Sequence, residues 1–511
     1  MASSTATSDS TSFSSSSPSS STSPPAAVVA PPPTPVPVFG HSLRRQFLFP
    51  EGFVNLNHGS FGAIPTPVMA ARQKLQLLSE QYPDNFMRYH SVTMLDNSRA
   101  DIAALLNVPV AEVVFVTNAT TGINTVLRNL QYDDGDVILH FGTIYGACGR
   151  TVQYLTDTTK ASCVVIPLVY PASDAKIIAD FKAAVADIRA AGKKPKVVLF
   201  DTVSSMPGMR FPWEKMIVAA RENDVLSVID GAHGVGNIKI DLTEHQPDFF
   251  VSNCHKWLYT PRPAAVLHVP TRNQHLITTS IPTSHYYLPR SAQQFFSPMP
   301  AGPKSNFVLQ FEFNGTIDPS PLLCVPAALD FRRKIGGEDA IRNYCTTLAY
   351  DGGERVARIL GTEVLKPDGT GADAGRCPMV NIRLPLPPVP KGEVESVYNR
   401  LTKELGRRES TFVQVYVHAG KWWVRLSGQV YLQIEDFEWI GGVLLRECAR
   451  LSEQIQPSVS SSASAVPSGA GGGSCADAAV EQRRVNGVER AVGELSVSEP
   501  QGAASVEVSG S

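Results

Sequence analysis

At 511 residues the chain is too long for one compact core, and roughly 150 residues per domain predicts about two folded domains with appendages. A hydrophobic content of 43% and a formal charge of -2 describe an ordinary globular protein and give no basic excess for a nucleic-acid partner. The eight cysteines are scattered, with no C-x-x-C pair and no His/Cys cluster, which argues against a disulfide framework or a metal site and for reduced thiols; no apolar run reaches about 18 residues, so no membrane span is expected.

Residues 1–40 are Ser, Thr, Pro and Ala, with Asp9 the only charged side chain before Arg44. Such an arm cannot bury enough apolar surface to offset its ordering entropy, so disorder is expected. It has neither the arginines of a mitochondrial presequence nor the basic start and apolar core of a secretory signal, and it reads as a cytosolic tail of a cytoplasmic protein.

Order is expected from about Arg45. In Asn55-Leu56-Asn57-His58-Gly59-Ser60-Phe61-Gly62 two glycines flank small polar groups, which describes an ordinary tight turn or a backbone brought close to a ligand. Helices follow over 66–80 and 92–106, then a strand over 112–116. Thr117-Asn118-Ala119-Thr120-Thr121-Gly122 next opens an apparent helix over 123–130. Such a strand-to-helix turn is either a plain helix start or a phosphate cradle, since free amides and the helix dipole both attract an anion.

Alternation continues with strands over 137–141, 163–167 and 196–201 and helices over 147–156, 174–190 and 213–223. Further strands are expected over 225–229 and 248–252. This pattern predicts an α/β fold, a doubly wound and mainly parallel sheet whose loops converge on one crevice. Asp230 ends one of the late strands and Lys256 follows the next, within Asn253-Cys254-His255-Lys256. A turn cap and a solvated lysine would explain the pair, and so would pyridoxal phosphate, whose aldehyde needs an amine and whose ring nitrogen needs an acidic partner. Beyond Pro270 the pattern loosens. A smaller α+β domain is expected from helices over 321–335, 338–360, 391–405 and 434–455 and strands over 379–384, 412–418 and 422–426. The expected domains are a disordered arm (1–40), a segment packing on the small domain (41–75), a large domain (76–310), a small domain (311–455) and a disordered tail (456–511) containing a weakly helical piece at 478–495.

The motif at 55–62, Asn118-Ala119-Thr120, Thr143-Ile144-Tyr145-Gly146, Val203-Ser204-Ser205-Met206-Pro207-Gly208, Asp230-Gly231-Ala232-His233-Gly234, Ser252 to Leu258, Gly315-Thr316-Ile317-Asp318 and Arg425-Leu426-Ser427 together resemble one family. It is the class-V aminotransferase-like family of fold-type I pyridoxal-phosphate enzymes. Within it the chain resembles the fungal hercynylcysteine sulfoxide lyases of ergothioneine biosynthesis, beside isopenicillin N epimerase-like proteins and cysteine desulfhydrases. The likeness runs over about residues 40 to 455.

The resemblance implies pyridoxal 5'-phosphate joined to Lys256, which would also take the Cα proton. Asp230 would meet the ring nitrogen and His233 the ring oxygen, with Ser205 at the same edge. Ala119, Thr120, Asn253 and His255 would hold the phosphate, and Thr316 would reach the phosphate of a neighbouring subunit, which implies a homodimer with shared sites. Arg425 would grip the substrate carboxylate with Asn57 and His58 nearby, and Tyr145 would stack on the cofactor, donate a proton to the leaving group, or do both. The implied reaction is β-elimination from hercynylcysteine sulfoxide, giving a sulfenic acid, pyruvate and ammonia. A cysteine desulfhydrase, an epimerase-like enzyme and a catalytically silent scaffold are the alternatives. Cys254 lies inside the lysine motif and Cys377 before a strand, so no mobile sulfur-accepting cysteine is apparent. Tyr286, Tyr287, Trp422 and Trp423 are candidate aromatic faces for a trimethylated ammonium.

Overall fold

The computed structural model describes residues 39–289, 291, 302–366 and 375–461. The arm expected at 1–40, apart from its last two residues, and the helical piece expected at 478–495 lie outside the described residues.

The main sheet is built from β2 (Val113–Val116), β3 (Asp136–Phe141), β4 (Ser162–Ile166), β5 (Lys194–Asp201), β6 (Leu226–Asp230), β7 (Phe249–Asn253) and β8 (Ala265–His268). Their order is β2-β8-β7-β6-β5-β3-β4. Successive side chains point to opposite faces, and here both faces are apolar. Val137, Leu139, Val198, Ile229 and Phe250 pack on one side, and Ile138, Val197, Leu199, Val228 and Val251 on the other. The strands from β7 to β4 are parallel. β8, which the sequence pattern did not single out, is antiparallel to both β7 and β2. Two reversals leave β2 running with the parallel set, so its following helix starts at the same carboxyl edge as the loops after β3, β5, β6 and β7.

Four further differences have local causes. The helix expected over 123–130 spans Ala119–Asn129, because the Asn118 side chain caps it by accepting the Thr121 N–H at 2.8 Å. The helix expected over 321–335 divides at Cys324 into Ser320–Leu323 and Val325–Lys334, where Pro326 has no N–H to continue the ladder. The strand expected over 412–418 becomes β10 (Thr411–Phe412) and β11 (Gln414–His418), which find different partners. The last helix runs Ile434–Ser461, past the point where a disordered tail was expected to begin.

A three-stranded antiparallel sheet carries β11, β12 (Lys421–Ser427) and β9 (Met379–Arg383), in the order β11-β12-β9. The start of the described chain joins this region: β1 (Val54–Asn55) pairs in parallel with β10, and the Leu56 carbonyl accepts the Ser427 N–H at 2.8 Å. That pairing delivers Asn57 to Phe61 beside β12, the strand that bears Arg425.

Candidate functional site

β7 ends at Asn253, the chain makes a single helical turn over Cys254–Trp257, and β8 brings it back antiparallel. This turn sets Lys256 in a pocket of about 230 Å³ at the carboxyl edge of the sheet. Ser60, Phe61, Asn118, Ala119, Thr120, Tyr145, Asp201, Ser205, Asp230, Ala232, His233, Asn253 and His255 complete its lining. Five separate strand-end loops contribute, the convergence expected of an open α/β sheet.

Removal of the amine from water lowers the Lys256 pKa from 10.5 to about 8; the Arg425 charge adds to this, while Asp230, Asp201 and Cys148 oppose it. His233 Nε2 lies 3.2 Å from Lys256 Nζ, and the Trp257 indole N–H donates to His233 Nδ1 at 3.1 Å. Burial holds the His233 imidazole neutral.

Asp230 stands at the end of β6, where its Oδ1 accepts the Ala232 N–H at 2.9 Å and its Oδ2 the Cys148 thiol at 3.3 Å. Asp201 is its register partner on β5, and both are buried, at 3% and 8% exposure. Burial and the Asp230 charge push the Asp201 carboxyl well above the usual range. The sequence reading missed Asp201. Its signal was its place as the last residue of a strand ending on the site edge.

The helix Ala119–Asn129 aims its first turn at the pocket. Asn253 Oδ1 accepts the Ala119 N–H at 2.8 Å, tying the lysine turn to this helix start. His255 Nδ1 is tied to the Ala264 backbone, 2.8 Å from its carbonyl. Thr316 is exposed and outside the pocket of its own chain.

Arg425 is 1% exposed, directly behind the wall made by Ser60 and Ser205. It donates to Ser205 O at 2.7 Å, Asn57 Oδ1 at 3.1 Å and Ser60 Oγ at 2.9 Å, while its Nε has no partner. Desolvation lowers even this guanidinium to about 10. His58 does not join it. The ring is fully buried outside the pocket, with Nδ1 2.9 Å from Tyr431 Oη and its face tilted against Trp257, and burial takes its pKa to about 3. In this structure it is a neutral packing residue behind the lysine turn. Trp422 and Trp423 are likewise buried, at 1% and 4%, within the small sheet, and neither they nor Tyr286 and Tyr287 line the pocket. Phe61 and Tyr145 do, at 71% and 47% exposure.

These residues fit pyridoxal phosphate. The pocket holds an amine of lowered basicity, a buried carboxylate on a neighbouring strand, and a capped helix start able to receive a phosphate. The buried Nε of Arg425 has no partner, a donor that an anionic ligand would satisfy. No group of three or more His, Cys, Asp or Glu among the described residues could hold a metal ion.

Residues 64–380 match the family model described as aminotransferase class-V. An L-cysteine desulfhydrase-like protein, lolT1, of Epichloe uncinata is 37% identical, over 81% of this chain and 96% of that protein. The hercynylcysteine sulfoxide lyase of Schizosaccharomyces pombe is 30% identical, over 81% of this chain and 98% of its own. Among solved structures, a cystine C-S lyase, C-DES, bound to cysteine persulfide aligns with a TM-score of 0.59 at 17% identity, covering 79% of this chain and 97% of that one. The cysteine desulfurase CsdA of Escherichia coli gives 0.61 at 17% identity, covering 82% and 99%. With the lysine turn, its facing carboxylate and the helix start assembled in one pocket, these matches establish that the chain belongs to the class-V aminotransferase family and is a pyridoxal-phosphate-dependent enzyme.

Proposed function

We propose that the protein is a carbon–sulfur lyase that cleaves hercynylcysteine sulfoxide by β-elimination, releasing the ergothioneine sulfenic acid, pyruvate and ammonia. The observation that carries this reading is a pocket in which Lys256 and Tyr145 face the same space and, among the described residues, no reactive thiol does. Cys148 and Cys254 are buried beside it, Cys254 with its thiol pushed up to about 12; Cys377 is buried too, with its thiol at about 11. A thiol so held stays protonated at neutral pH and accepts no sulfur, which favours direct elimination over persulfide transfer.

Pyridoxal phosphate, when bound, supplies an aldehyde for the substrate amine and a ring that takes up the charge left at Cα. The chain's own groups do the rest. Asp230 would meet the ring nitrogen, and Ser205 and His233 would meet the edge that carries the ring oxygen. Ala119, Thr120, Asn253 and His255 would hold the phosphate. The substrate carboxylate replaces the neutral oxygens of Ser60 and Ser205 on Arg425, exchanging ordinary hydrogen bonds for a charge-assisted pair, and Asn57 steadies the guanidinium. Lys256 takes the Cα proton, the Cβ–S bond breaks, and Tyr145 gives a proton to the departing sulfenate oxygen. The three-carbon remainder takes up water and leaves as pyruvate and ammonia.

Two aromatic rings at the pocket, Phe61 and Tyr145, suit the trimethylammonium group of this substrate through cation–π attraction, worth about 0.5–2 kcal/mol. The working form in this reading is a cytoplasmic homodimer, in which exposed Thr316 completes the phosphate site of the second subunit.

Incubating the purified, cofactor-loaded protein with hercynylcysteine sulfoxide and separately with L-cysteine, and assaying pyruvate, tests the proposal. The sulfoxide should be the better substrate. The 37% identity to a desulfhydrase-like protein favours cysteine desulfhydration as the second reading, and pyruvate from cysteine alone would establish that one instead. A colourless cofactor-treated protein that forms no pyruvate would overturn both and leave a scaffold.

A further inference from the structure

His233 and Trp257 form a pair whose chemistry is fixed by what an indole can do. An indole N–H is a donor only, so the nitrogen it meets must present a lone pair. That nitrogen is His233 Nδ1, at 3.1 Å. We propose that Trp257 is a positioning residue that locks His233 as the Nε2–H tautomer, making the imidazole a permanent donor toward the pocket.

Three observations support this assignment. The ring is neutral: it is 3% exposed, burial disfavours its charged form, the nearby Arg425 cation does the same, and among the described residues no carboxylate makes an ion pair with it. In a neutral imidazole one nitrogen carries the proton, and a lone pair at Nδ1 places that proton on Nε2. Turning the ring over would present carbon to both the indole and Lys256, breaking the two contacts together. The alternative Nδ1–H tautomer would set N–H against N–H in a dry site, leaving two buried donors without an acceptor.

Trp257 has no freedom to release this constraint. It is 1% exposed, its ring lies 5.3 Å from that of His58, and its carbonyl accepts from Arg332 Nη1 at 2.8 Å. It is also the residue directly after Lys256, so one short turn places the lysine and the group that sets its neighbour's proton. His233 Nε2 then faces Lys256 Nζ at 3.2 Å as the donor, which the lysine can match only as a neutral amine with its lone pair turned to the ring. The arrangement selects the uncharged, nucleophilic form of Lys256. Once that lone pair is engaged, the same N–H is free for an oxygen of the bound ring, a consequence that rests on the function proposed above, whereas the tautomer does not.

The test begins with cofactor-free protein labelled with ¹⁵N in its histidine rings. The ring signal that disappears in His233→Gln should show a protonated Nε2 and a bare Nδ1 at neutral pH. In Trp257→Phe the same ring should lose this fixed state and show a mixture of tautomers. A wild-type His233 that is Nδ1–H or doubly protonated, or one unchanged in folded Trp257→Phe, would overturn the proposal. The wild-type signal decides the matter even if Trp257→Phe fails to fold. With cofactor bound, Trp257→Phe should lower kcat by about 100-fold, the bottom of the range for a positioned proton-transfer group, with KM nearly unchanged. In a His233→Gln background, where an amide N–H donates without any tautomer to fix, the same substitution should have little further effect; equal losses in both backgrounds would make Trp257 a packing residue and overturn its action through His233. If the NMR outcome holds while neither sulfur substrate is turned over, the tautomer stands and the proposed function falls.

Discussion

Lys256 draws its reactivity from its surroundings. Its lowered basicity has a mixed origin, because desolvation and Arg425 favour the neutral amine while Asp230, Asp201 and Cys148 favour the cation, and the first group wins. The amine is thus available near neutrality. Covalent attachment of cofactor to the cofactor-free protein should accelerate as pH rises through about 8, and stopped-flow absorbance should show a midpoint well below the lysine value of 10.5. The sign for stability follows: between about pH 8 and 10.5 the unfolded chain binds more protons at this residue than the folded one, so its contribution becomes less unfavourable as pH rises through that window. Most of the pocket was legible in the sequence, because Asp230 and Asn253 end strands and Tyr145 and Lys256 follow strand ends closely. Asp201 was missed because it looked like a boundary, and the burial of His58 was unreadable because a histidine beside glycines carries no local sign of what packs over it.

Glycine at position 122 illustrates how an element is seated. A Cβ there would meet Val251 Cγ1 at 2.5 Å, so the helix Ala119–Asn129 lies nearly in contact with β7 two residues before Asn253. Gly122→Ala would gain up to about 1 kcal/mol of helix propensity, but overpacking a tight core costs about 1–3 kcal/mol. The second effect wins, so the variant should unfold at lower denaturant and retain cofactor less well, as equilibrium unfolding and dialysis would measure. The long elements were readable from their periodicity. β8 was not, since its four residues are too few to show a period and follow the proline-rich Pro261-Arg262-Pro263; its role is visible only through its pairing with β7 and β2.

Across the molecule, residues distant in sequence meet at the lysine turn. Arg332, from the helix Val325–Lys334, donates to the carbonyls of Trp257 and Gly236 and forms an ion pair with Glu338. It is 1% exposed, so Arg332→Met leaves two carbonyls without a donor and leaves the partly buried Glu338 with Arg342 alone. Breaking such a pair from one side costs about 3–5 kcal/mol, and urea unfolding should show a loss of that order. A loss below about 1 kcal/mol would mean that water takes over the guanidinium's contacts. This clamp had no sequence signature, because it depends on backbone carbonyls that only the fold brings together.

Arg425 is a buried cation for which no ion-pair partner exists among the described residues; its contacts are the neutral oxygens of Asn57, Ser60 and Ser205. The protein therefore folds around an unneutralised charge, and any small carboxylate that reaches it is a ligand of the native state alone. Saturating such a ligand to 100 times its Kd stabilises the fold by about 2.7 kcal/mol. Melting temperature should then climb with added amino acid in wild type and stay flat in Arg425→Met. A panel of sulfur amino acids, ranked by how far each raises that temperature without being turned over, becomes a direct map of what the pocket was shaped to hold.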